Sequence, residues 1–264
     1  MGLSYRSQLR TRERILTYGL PGVGKSNALL TIARKCPDAT FHVVDTEVDN
    51  YYRLLDTDFT DLTNVEVYSC SDWDDVIPAI QKVRKDVAQD DWLVVDSMTP
   101  TWDWVQSSFI RKVHGEEDDA YFMEVRIQKQ RIIDNPKEKN PGSLGALEGW
   151  LDWPVLNKMY ARLYKEVMTW PSHVYLTAEA AKLSDEDERA VKLEFSQHGL
   201  KPKGQKRLGF VPQTVLLLSK SRSEEYTLDT VKDRGREDQV GVEIEDFARD
   251  YLVRVAGWRP AKAE

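Results

Sequence analysis

One octapeptide limits what this chain can become. Gly19-Leu20-Pro21-Gly22-Val23-Gly24-Lys25-Ser26 satisfies G-x-x-x-x-G-K-[ST] at every fixed position. It stands between a short apolar run, Arg14–Tyr18 (RILTY), and a stretch with helical spacing from Ser26 to Lys35. Strand, glycine turn, helix is the context that gives this motif its mechanism. The glycines let backbone N–H groups turn inward on a polyphosphate, and the helix that follows aims its positive end at the same point. Lys25 is then a mobile cation for the β- and γ-phosphates, Ser26 a hydroxyl for Mg²⁺, and Asn27 the next residue of the cradle.

The neighbouring sequence keeps the same rhythm. Thr40–Asp45 (TFHVVD), Val65–Ser69 (VEVYS) and Trp92–Asp96 (WLVVD) read as buried strands. Between the last two, Ser71-Asp72-Trp73-Asp74 caps a helix expected from Trp73 to Ala88, with apolar residues three or four apart. Strands alternating with helices imply a mostly parallel α/β sheet with right-handed crossovers. Farther on, Pro154–Trp170 reads as a helix and Val174–Thr177 as a buried strand. Residues 182–209 read as a loop or loose hairpin, Thr214–Ser219 with Tyr226–Lys232 as an antiparallel hairpin at the C-terminal edge, and Glu243–Val255 as a closing helix. With 264 residues, one large domain is expected over 1–258, carrying a charged insertion at about 113–150 and a frayed tail at 259–264.

Composition removes several classes. No apolar run approaches the ~18 residues of a membrane span, and MGLSYRSQLRTRER lacks the apolar stretch of a signal peptide. Two cysteines, Cys36 and Cys70, are too few for a disulfide framework, so a cytoplasmic setting is expected. The scattered His42, His114, His173 and His198 offer no metal-ligand spacing. A net charge of −7 argues against a surface given over to nucleic acid but leaves room for a local basic groove.

Asp96 ends an apolar strand, where its carboxylate suits the Mg²⁺ shell beside Ser26. Hydrolysis also needs a group to orient or deprotonate water. The residue after Asp96 is Ser97, so the base must come from another strand. Asp45-Thr46-Glu47 lies at the carboxyl end of the second strand, which is where ligands sit in open α/β sheets. Glu47 is the better placed and Asp45 competes with it. No Asn-Lys-x-Asp guanine motif occurs, since Asn157-Lys158-Met159-Tyr160 fails at its last place, so ATP is preferred. Tyr51 or Tyr52 is available to pack on the adenine, or to the core as a helix-face aromatic.

GLPGVGKS, HVVDTE and WLVVDS, in that order, resemble the RecA-type recombinase ATPases, and within them the compact RecA-like ATPases of bacteriophages that include single-strand annealing proteins. The resemblance implies a RecA-like core and makes Glu47 the catalytic glutamate. It implies ATP and Mg²⁺ as cofactors, single-stranded DNA as partner, and a homo-oligomeric ring or filament. It puts a γ-phosphate sensor at the end of VYLTAE, where Thr177 and Glu179 are the candidates although the family has an amide. Its DNA-binding loop falls on Lys201, Lys203, Lys206 and Arg207, four cations in a glycine-containing stretch that also reads as a groove lining for phosphates. Lys232 and Arg234 would act in trans on a neighbouring subunit's nucleotide. The competing reading is a nucleotide-gated switch or scaffold with little turnover that works through a protein partner. A nucleotide kinase is disfavoured because the charged insertion is not rich in arginine.

Overall fold

The computed structural model of the chain describes residues 12–135, 147, 151–220 and 226–257. Its first half is β1 (Arg14–Gly19), α1 (Lys25–Lys35), β2 (Phe41–Asp45), α2 (Asn50–Thr57), β3 (Val65–Ser69), α3 (Trp73–Val83) and β4 (Trp92–Asp96). There follow α4 (Met98–His114), α5 (Asp118–Asp134), α6 (Asp152–Met168) and β5 (His173–Lys182). The chain continues through α7 (Arg189–Phe195), β6 (Leu200–Pro202), β7 (Thr214–Lys220), β8 (Tyr226–Asp233) and β9 (Glu243–Ile244). A π-wound helix, α8 (Phe247–Val255), closes the described chain.

The main sheet runs in the order β3-β2-β4-β5-β1-β7-β8-β9. Strands β3 to β7 along this path pair in parallel, and β7-β8-β9 form an antiparallel edge. This is the mostly parallel sheet, flanked by helices and finished by a hairpin, that the sequence predicts. Strand β5 lies between β1 and β4, so the glycine loop and Asp96 are separated by one strand and share its carboxyl end.

Alternation along the strands builds two cores. Leu16, Tyr18, Val95, Leu176 and Leu217 point to one face, packed by α3, α4 and α6. Ile15, Val43, Val94, Tyr175 and Leu216 point to the other, packed by α1, α2 and α8. A central strand buried on both faces is therefore apolar at nearly every position, as WLVVD is, and RILTYG is buried at every one.

Several boundaries differ from the sequence reading. Helix α3 begins as expected, with the Asp72 side chain accepting from the Asp74 N–H at 3.1 Å, but ends at Val83. Beyond it, Asp91 accepts from the N–H of Ala88 at 2.6 Å and of Thr40 at 2.9 Å, drawing the chain into a turn toward β2. The described part of the insertion is a helix, α5, with no buried residue, held to α4 by Ser107–Asp118 at 2.5 Å and by stacking of His114 on Tyr121. Residues 182–209 are more ordered than a loop: α7 forms, and β6 pairs antiparallel with the extension of β5. The closing helix starts at Phe247 because Glu243–Ile244 is taken as an edge strand and Asp246 caps the helix through the Arg249 N–H. The expectations for the tail and for the Pro/Gly/Asn stretch around 136–146 lie outside the described residues.

Candidate nucleotide site

The glycine loop takes the conformation its composition allows. Gly22 and Gly24 have φ of 78° and 87°, in the left-handed region that favours glycine, and Gly24 caps α1. A Cβ at Gly19 would lie 2.4 Å from the carbonyl oxygen of Leu218, so the loop's first residue must be glycine for β1 and β7 to close. The Lys25 ammonium donates to the carbonyls of Gly19 at 3.2 Å and Leu20 at 3.3 Å, folded back over its own loop. Leu20 and Pro21 form the loop's exposed crest, Val23 is buried beneath it, and Asn27 is exposed one turn into α1.

Below the loop is a compact array of oxygens. The Ser26 hydroxyl donates to Asp96 Oδ2 at 2.8 Å. Tyr51 donates to the same oxygen at 2.6 Å, and Thr177 donates to Oδ1. Asn50 adds a 3.1 Å contact to Ser26. Asp45 lies beside Asp96 in the β2–β4 register, fully buried, with Oδ1 accepting from the Glu47 N–H at 2.9 Å and Oδ2 without a hydrogen-bond partner. Burial raises the Asp45 carboxyl above its ordinary range, and the Asp96 charge adds to the rise. These features suit the group the motif implies: a hard cation takes oxygen donors such as Ser26 and Asp96, and a polyphosphate needs the N–H-rich turn and Lys25. The orphaned Asp45 oxygen is a further sign of an array with spare acceptor capacity.

Glu47 is exposed at the mouth of this array. Its carboxyl is raised by loss of hydration, then by the charge of Asp96. Lys25 opposes the rise, and Glu179 and Asp45 reinforce it. Glu47 therefore shares one electrostatic field with the loop lysine and the strand-end aspartates.

Of the two sensor candidates, Thr177 is fully buried and occupied by Asp96. Glu179 pairs with Gly19 in the β1–β5 register, and its carboxylate is held by Lys203 at 2.7 Å.

The basic segment differs from a bare cationic patch. Lys201 is paired with Asp187, Lys203 with Glu179, and Lys206 with Glu188 at 3.0 Å. Glu186, Asp187 and Glu188 line a hollow of about 260 Å³ together with these lysines. Arg207 is exposed, with its N–H on the Gln205 side chain at 2.6 Å.

Lys232 and Arg234 are not brought to this chain's own loop. Lys232 is opposite Val215, at the end of β7 that starts beside Ile15, whereas the loop begins at the other end of β1. The Lys232 ammonium donates to the Gly209 carbonyl at 2.7 Å, and burial, with the Arg234 charge, lowers it to about 8. Arg234 is exposed and donates to the Phe210 carbonyl at 2.8 Å.

Sequence reasoning missed Asn50 and the contact of Tyr51 with Asp96. Tyr51 is fully buried and does not offer its ring to a base, while Tyr52 is half exposed. The available signal was position: polar side chains just past the carboxyl end of β2 fall in the crevice where such sheets bind ligands.

A glycine cradle opening a helix, a strand-end aspartate on the cradle serine and an intervening strand define a P-loop ATPase. A family model described as AAA domain matches residues 11–234, and the chain belongs to that family. A search of curated proteins finds no match. Among solved structures, the chain is similar to a RadB recombinase, at 15% identity over 87% of this chain and 84% of that one, with a TM-score of 0.47. It is also similar to a KaiC-like protein of Pyrococcus horikoshii, at 14% identity over 87% and 82% of the two chains, with a TM-score of 0.46. Among the described residues, no helix is long and apolar enough to cross a membrane.

Proposed function

We propose that this chain is a Mg²⁺-dependent ATPase that acts on single-stranded DNA in recombination or annealing of the phage type, working as a homo-oligomer. The observation that carries the catalytic part is the 2.8 Å contact of Ser26 with Asp96 beneath Lys25, with Glu47 in the same field. Mg²⁺, which Ser26 and Asp96 would hold, would supply neutralisation of the phosphate charge. The loop N–H groups and Lys25 bind and orient the triphosphate. Glu47 holds the attacking water and takes its proton, for which its raised carboxyl is suited. Thr177 and Tyr51 fix the Asp96 carboxylate by hydrogen bonds. Lys232 and Arg234, at the far end of the sheet, act on the nucleotide of an adjoining subunit. Lys201 and Lys206, once their acidic partners are displaced, meet DNA phosphates together with Arg207.

The test is ATP turnover with and without single-stranded DNA. Stimulation by DNA, and loss of turnover in Lys25→Ala, support the proposal; unstimulated or unaffected turnover contradicts it.

The second reading is a nucleotide-gated scaffold acting through a protein. It is favoured by one observation: Lys201, Lys203 and Lys206 each carry an acidic partner, in a chain of net charge −7. Retention of DNA at ~0.15 M salt separates the two, because only a real cationic patch holds phosphates under that screening.

A further inference from the structure

The end of β5 presents an electrostatic difficulty. Glu179 lies beside Gly19 in adjacent parallel strands, which run roughly 4.8 Å apart. The charges acting most on Glu47 are those of Asp96, Glu179 and Asp45, opposed by Lys25. A terminal phosphate entering there adds negative charge beside Glu179, on top of what Lys25 and a bound Mg²⁺ would offset.

A second cation sits on Glu179 itself. The Lys203 ammonium is 2.7 Å from Glu179 Oε2, on a side chain that is 53% exposed. Its backbone, by contrast, is fixed. The Lys203 N–H donates to the Glu179 carbonyl at 2.8 Å, and the Lys203 carbonyl accepts from the Thr99 hydroxyl at 3.0 Å. The same Thr99 oxygen accepts from the Glu179 N–H at 2.9 Å. Thr99 lies in the first turn of α4, two residues after its Ser97 cap. The root of Lys203 is thus tied to β5 and α4, while its four-carbon stem is exposed and its ammonium rests on Glu179.

We propose that Lys203 is the residue of this segment that contacts the terminal phosphate of bound ATP, exchanging the Glu179 carboxylate for it, and that Glu179 holds the lysine ready when the site is empty. The proposal rests on the phosphate site described under the proposed function. The exchange is driven by charge: a phosphate group with more negative charge and more acceptor oxygens than a carboxylate is the stronger partner for an ammonium. ADP lacks the terminal group, so Lys203 then stays on Glu179.

Competition binding of ATP and ADP against a fluorescent nucleotide, with Mg²⁺ present, tests this. Lys203→Ala is expected to weaken ATP roughly tenfold or more, the scale of one charged hydrogen bond, and to leave ADP unchanged. Lys203→Arg should restore much of the ATP affinity. Glu179→Gln should tighten ATP and leave ADP alone, because it removes an anion from the seat and frees the lysine. Equal effects of Lys203→Ala on both nucleotides, or none on either, would overturn the proposal. If the pair only steadies the loop, the variant lowers the melting temperature without changing the ATP-to-ADP ratio, and this also overturns it. Wild-type protein that binds neither nucleotide, or Lys25→Ala that binds ATP normally, instead removes the phosphate site itself.

Discussion

Tyr51 donates its phenolic hydrogen to Asp96 Oδ2 at 2.6 Å, on the oxygen that also accepts the Ser26 hydroxyl. A fully buried tyrosine of α2 thus sets the orientation of a strand-end carboxylate 45 residues away. Replacing Tyr51 with Phe keeps the ring and removes the donor. The expected result is a loss of about 1–2 kcal/mol in urea unfolding of the nucleotide-free protein, the cost of a buried charged acceptor losing a partner. An unchanged midpoint would show that Ser26 and Thr177 alone hold Asp96.

Gly19→Ala tests the closure of the loop onto β7. The added methyl would meet the Leu218 carbonyl at 2.4 Å and Val23 Cγ2 at 2.8 Å, and the backbone has little room to give. Overpacking of this kind costs about 1–3 kcal/mol. The melting temperature should fall and nucleotide affinity with it.

These positions show what the sequence carried and what it did not. Strands β1 and β4 were legible because RILTYG and WLVVD are covered on both faces and need no polar alternation. The loop was legible because its chemistry is local, within eight consecutive residues. Helix α5 was hidden because its residues bury none of their surface deeply, so the apolar periodicity that marks a core helix is weak. Segment 201–206 looked like free cations because its partners are distant in sequence: Lys201 and Asp187 are 14 residues apart, Lys203 and Glu179 24, Lys206 and Glu188 18. Tyr51 packs in the core, as a helix-face aromatic does, and its hydroxyl is the part that touches the site.

Asp45 carries a pH signature. Its folded-state carboxyl is raised by burial, so the native state binds more protons than the unfolded chain between the ordinary aspartate value of about 3.9 and its higher folded value. The penalty of ionising it grows as pH rises through the folded value and is present in full above it. Asp45→Asn removes that penalty and keeps an oxygen to accept from the Glu47 N–H. Its melting temperature should match wild type in acid and exceed it at neutral pH. A difference that shrinks with rising pH would contradict this assignment.

The lysine pairs give a separate test of the DNA reading. Glu188→Gln releases Lys206 from its exposed ion pair. Single-strand binding at ~0.15 M salt should strengthen, with a steeper fall on further salt, because one more phosphate contact releases one more counterion. Identical salt slopes in the two proteins would remove Lys206 from the interface.

Glu47 bears the central claim. With its carboxyl raised first by lost hydration and then by Asp96, kcat/KM for ATP should drop on acidification at a pH above the ordinary glutamate value of about 4.3. The most direct measurement is single-turnover hydrolysis by Glu47→Gln, alongside ATP binding by the same protein. The account predicts near wild-type binding, turnover reduced by roughly 10²-fold or more, the scale of a lost general base, and no acid limb in what remains. Hydrolysis at the wild-type rate, with the acid limb intact, would contradict it.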